Sequence, residues 1–98
     1  FEYDELIKTH TISVLKKQDL RLVFSHLRAI DRFAHMGLDL SVAAKATDEN
    51  IMAIATAVGE RDGLLFICGD HETHLKGRKA SRGKAPATVP LIVCCPSI

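Results

Sequence analysis

Residues Leu20–Ile30 read LRLVFSHLRAI, and the fold class turns on what this stretch is. It is too apolar, and too rich in branched and aromatic residues, for a surface helix, so the pattern predicts a strand ending at Asp31. Upstream, residues 4–17 place Leu6, Ile7, His10, Val14 and Leu15 near one face at helical spacing. Acids open that segment and lysines close it, the order a helix dipole favours. Downstream, residues 41–59 predict a second helix, with Ser41 as N-cap and Gly59 as stop. The turn ERDG, a buried strand LLFIC, a long loop over residues 69–88 and a last strand VPLIVCC complete the chain. Strands alternating with helices imply an α/β fold with a mostly parallel sheet and flanking helices. Ligands of such sheets bind at the carboxyl ends of the strands. Asp31 and Asp70 each follow a predicted strand, so both carboxylates are expected at one sheet edge, with His35 and His71 nearby.

The chain has 98 residues, 47% of them hydrophobic and 26% charged, a globular composition that suits one small domain or one piece of a larger one. It opens at Phe1 and not at Met, and incompleteness is the expectation. No apolar run reaches the roughly 18 residues of a membrane span. The net charge of +1 hides an asymmetry: residues 1–75 hold 8 Lys/Arg against 12 Asp/Glu, and residues 76–98 hold 5 against none. All five lie in KGRKASRGK, Lys76 to Lys84. Residues 76–88 are therefore expected to form an exposed basic loop, a surface for phosphate, RNA or an acidic partner. Cys68, Cys94 and Cys95 show no CxxC spacing and read as small apolar strand residues in an intracellular, reducing compartment, Cys68 being expected buried and inert. The organelle stays open.

The chemistry concentrates in CGDHETH, Cys68 to His74. Two histidines and two carboxylates are costly to desolvate and collect where something offsets the cost. Asp with His is a donor mixture for Zn²⁺ or Mn²⁺, imidazole being too soft for a typical Ca²⁺ site. Two Asp/His pairs at one edge suggest two ions, an arrangement that clamps the oxygens of a transferring phosphoryl group. HETH is not the helical HExxH of a zinc protease, because its histidines are three apart and follow a strand.

These residues resemble the C-terminal part of the alkaline phosphatase superfamily, and most closely the archaeal-type cofactor-independent phosphoglycerate mutases. That family carries H-x-K-x-x-D-x-x-G-H, and this chain reads HLRAIDRFAH, with His26, Arg28, Asp31 and His35 in place and Ala34 where glycine is usual. A lysine and an aspartate follow in the family's next helix, matched by Lys45 and Asp48 at a spacing about two residues short. The family's T-G-D-H-S-T-P stands here as CGDHETH, which keeps Gly69, Asp70, His71 and Thr73 and loses the proline. Its last histidine, before the final strand, aligns with Lys84. Residues 5–96 can be laid along the family, as one partial domain spanning 1–98.

By this resemblance Asp31 and His35 bind one metal, and Asp70 and His71 the other. His74 is a candidate replacement for the missing histidine, while His26, Arg28 and Lys84 are candidate substrate or phosphate contacts. For His26 the plainer reading, a strand residue facing the core or a helix, is preferred. The family's nucleophile has no counterpart here. The leading reading is a metal-binding segment of a phosphoryl-transfer enzyme, mutase-like or phosphatase-like, using two divalent ions, Mn²⁺ or Zn²⁺, and inactive alone. It would work with the remainder of a catalytic domain or another protein chain on a phosphorylated small molecule. The rival is a degenerate, non-catalytic interaction subunit of a larger assembly, to which Ala34, Lys84 and the lost proline point.

Overall fold

The computed structural model describes residues 1–17, 19–72 and 88–97. Three helices and two strands follow in the order α1 (Glu2–Lys17), α2 (Ala29–Met36), α3 (Leu40–Gly59), β1 (Leu65–Cys68) and β2 (Leu91–Cys94). Glu2, Asp4 and Glu5 sit in the first turn of α1 and Lys16 and Lys17 in its last, opposing the helix dipole charges at both ends. α3 packs against both α1 and α2. Among the described residues the buried apolar side chains are Ala29 and Ala34 of α2 and Ala43, Ile54, Ala57 and Val58 of α3, a core in which small side chains let helices approach closely.

The expected strand over residues 20–30 is not formed. Residues 22–28 have no regular structure, and Ala29 already begins α2. A strand needs a neighbour for its N–H and C=O groups, and among the described residues β1 pairs only with β2. The helix that replaces the strand's end has a cap from far away in sequence. Arg28, its N-cap residue, supplies no side-chain hydrogen bond. Instead the Asp4 carboxylate accepts from the Arg28 N–H at 3.0 Å and the Ala29 N–H at 2.9 Å. At the other end Gly37 adopts φ 69°, and the N–H groups of Gly37 and Leu38 return to the carbonyls of Ala34 and Phe33, a Schellman-type stop.

The sheet also departs from expectation. β1 and β2 are antiparallel, in register Leu65↔Cys94 to Cys68↔Leu91, and no parallel pairing occurs among the described residues. A parallel pair needs a crossover that returns the chain to the same end, whereas β2 runs back along β1. α3 starts one residue before Ser41, and its cap is Asp39, whose Oδ1 accepts from the Ser41 N–H at 2.9 Å and the Ser41 hydroxyl at 2.6 Å. Cys68 is exposed and not buried, because the alternation along β1 turns Phe66 and Cys68 outward. Most of the basic loop, 76–87, lies outside the described residues; Thr88 is exposed and without regular structure. No helix among the described residues is long and apolar enough to cross a membrane.

Candidate metal centre

Asp31 is the third residue of α2 and His35 lies one turn later on the same face, so the helix itself brings His35 Nε2 to 3.4 Å from Asp31 Oδ1. The second half comes from the end of β1. There the Gly69 N–H bonds the Pro90 carbonyl at 3.3 Å, tying the strand end to the residue before β2. Asp70 and His71 follow directly. His71 Nε2 stands 3.5 Å from Asp31 Oδ1 and 3.5 Å from Asp70 Oδ1, and His26 Nε2 stands 3.3 Å from Asp70 Oδ2. The five side chains form an alternating series, His35, Asp31, His71, Asp70, His26. The two expected Asp/His pairs thus meet at His71, although Asp31 arrives on a helix and not at a strand end.

His71 has a defined orientation. The Glu72 carbonyl lies 2.6 Å from Nδ1, so a protonated Nδ1 donates there and the neutral ring presents a lone pair at Nε2, the atom that faces both carboxylates. That hydrogen bond is the main reason the imidazole holds its proton above the ordinary histidine range; desolvation opposes it, and the charges of Asp70, Asp31 and Glu72 reinforce it. A ring nitrogen fixed by a carbonyl while the other aims at the site is the usual arrangement of a metal-bound histidine.

The donor set fits a divalent ion in type. Asp31 Oδ1 is buried yet has no hydrogen-bond partner among the described residues, an arrangement that is costly for a carboxylate oxygen unless something else satisfies it. The imidazoles beside it, at 3.4 and 3.5 Å, are beyond ordinary N–H···O length. Donors sharing one tetrahedral ion at bonds of about 2.0–2.1 Å stand about 3.3–3.4 Å apart. The four pairs here have nearly that spacing, but they run pairwise along a series. No three His, Cys, Asp or Glu side chains converge on one point among the described residues.

The other candidates lie elsewhere. Arg28 places its guanidinium 3.6 Å over the Tyr3 ring. Lys45 and Asp48 are exposed on α3. His74 and Lys84 lie outside the described residues. His26 is the correction: it is not a core residue but 65% exposed, beside Asp70 at 63%. Its partner is 44 positions away, and no local pattern announces it. Ser25, its neighbour, is held to Thr11 of α1 by a hydroxyl pair at 2.5 Å, which anchors the segment that carries His26.

No curated protein and no solved structure matches this chain. A family model does: that of the metalloenzyme superfamily, over residues 2–97. That span takes in every described residue of the His/Asp series, and on this match the chain belongs to the metalloenzyme superfamily.

Proposed function

We propose that this chain is the metal-ligating segment of a phosphoryl-transfer enzyme of the phosphoglycerate mutase-like or phosphatase-like kind, one partial domain that works with further catalytic parts. The observation that carries the reading is His71 Nε2 set between the carboxylates of Asp31 and Asp70, at 3.5 Å from each. Asp31 and His35 would hold one divalent ion, Mn²⁺ or Zn²⁺, and Asp70 and His71 the other. Such ions, when bound, neutralise phosphoryl oxygens and lower the pKa of a nucleophile. The chain's own contribution is orientation. The Glu72 carbonyl fixes the His71 ring, α2 fixes the spacing of Asp31 and His35, and His26 braces Asp70. Arg28, next to α2, is the candidate for a substrate phosphate.

A Co²⁺ titration followed by visible absorption tests this reading. Uptake by the wild-type chain that is reduced in Asp31→Ala and, separately, in Asp70→Ala is the expected result. Uptake indifferent to both variants would sink it. The rival, a degenerate interaction subunit, draws support from Lys84 where the resembled family has a histidine and from Ala34 where it has glycine. Absence of Co²⁺ uptake would favour that rival.

A further inference from the structure

We propose that Asp4 is a positioning residue for the candidate metal centre: from α1 it holds the first turn of α2 in the orientation that presents Asp31 and His35. The inference rests on the metal-binding reading above. Asp4 is the most buried charged residue described, at 1% exposure, and a buried carboxylate is costly unless its oxygens are engaged. Both are engaged, and both at the start of α2, Oδ1 with the N–H of the N-cap residue Arg28 at 3.0 Å and Oδ2 with the Ala29 N–H at 2.9 Å. These are charge-assisted bonds to two donors that a helix start would otherwise leave without an intrahelical acceptor. The negative charge also opposes the positive end of the α2 dipole.

The neighbours of Asp4 grip the same helix. The Tyr3 ring lies under the Arg28 guanidinium, and the Phe1 ring stacks on Phe33 with centroids 5.0 Å apart. The start of the chain thus holds α2 at residues 28, 29 and 33. Asp31 and His35 alternate with these attachment points on an eight-residue helix. A helix that short has little stability of its own, so its orientation depends on what holds it. Residue Arg28 supplies no side-chain cap, and nothing local replaces Asp4. Loss of this carboxylate should therefore tilt or fray the turn that contains Asp31, and with it the distance from Asp31 to His71.

The test separates positioning from stability by using two Asp4 variants and one core variant of the 98-residue chain. Imidazole NMR resonances of His35 and His71 are recorded without metal, together with amide exchange in α2 and, separately, Co²⁺ affinity. Asp4→Ala should move both rings' resonances, speed exchange of the first α2 amides, and lower Co²⁺ affinity about tenfold, as loss of a supporting residue does. Asp4→Asn keeps one acceptor oxygen and should lie between, which also covers the case in which Asp4→Ala does not fold. Val58→Ala truncates the core on α3; it should lower the melting temperature while leaving the rings and the affinity of the folded chain alone. Ring resonances in both Asp4 variants that coincide with wild type, or that move no further than in Val58→Ala, would overturn the inference. If the wild-type chain takes up no Co²⁺ yet the Asp4 variants still move the rings, the metal reading fails and the positioning role stands.

Discussion

His71 meets two carboxylates with one nitrogen because its other nitrogen is already committed to the Glu72 carbonyl. His26 extends the same logic to Asp70. Both side chains of that pair are mostly exposed, so as an ion pair it adds little stability. Its effect should be orientational, holding Asp70 Oδ2 so that Oδ1 faces His71. We therefore expect His26→Ala to leave the melting temperature unchanged while weakening Co²⁺ binding about tenfold, in the range seen when an outer support of a metal ligand is removed. Calorimetric titration beside a thermal scan checks both halves; a large fall in melting temperature with unaltered affinity would assign His26 a structural role instead. Asp31, His35, Asp70 and His71 were legible as a group in the sequence because each pair is local, Asp31 four residues before His35 and Asp70 next to His71. Their meeting was expected from two strand ends, and it comes instead from the packing of α2 beside the end of β1; the contact of His26 with Asp70, 44 residues apart, had no signal in the sequence.

The helices show the same division between local and distant causes. α1 declares itself through charge order and apolar spacing, and α3 through apolar spacing and a nearby cap. α2 does not, because its cap is Asp4, 24 and 25 residues upstream of the N–H groups it accepts. Branched and aromatic residues before it, Leu22, Val23 and Phe24, pointed to a strand, and strand propensity has no effect without a partner to complete the ladder. The parallel sheet was inferred from that strand and was lost with it. For α3 the cap is local and ionised. The Ser41 hydroxyl, and then the Ser41 N–H, hold the Asp39 carboxyl below the usual carboxylate range. A folded-state pKa below the unfolded one means that the cap stabilises above the unfolded pKa and that this contribution is lost as pH falls through the folded value. Asp39→Ala should thus melt at a lower temperature than wild type at pH 7, and the gap should narrow below about pH 4. Paired thermal scans from pH 7 to pH 3 check this; a gap that stays constant over that range would show that the charge on Asp39 contributes nothing.

At the scale of the whole molecule, apolar surface is distributed unlike that of a self-sufficient domain. Leu22 and Phe24 are 82% and 86% exposed, and Phe66 of β1 and Leu91, Ile92 and Val93 of β2 are exposed as well. The two-stranded sheet thus leaves much of its apolar surface uncovered, and such a pair is marginal without a further layer. Exposed apolar surface of this kind marks a contact face, which accords with a segment that needs further structure beside it. The chemistry leads to the same place. Phosphoryl transfer requires a nucleophile within reach of the reacting atom before any shift in its pKa matters. Four of the described hydroxyls are engaged elsewhere: Ser25 with Thr11, Ser41 with Asp39, Thr11 also with the Ile7 carbonyl, and Thr56 with the Met52 carbonyl; that of Thr47 is buried within α3. None of these contacts touches the His/Asp series. The 98-residue chain alone is therefore expected to turn over neither phosphoglycerates nor a generic aryl phosphate, with or without Mn²⁺ or Zn²⁺. In the proposed assignment each ion has two protein ligands, and water would fill the remaining positions, so metal affinity should also be weak. A turnover assay with chelator controls decides the matter: metal-dependent activity that disappears in Asp70→Ala would show that this segment carries a complete active site, with a nucleophile of its own.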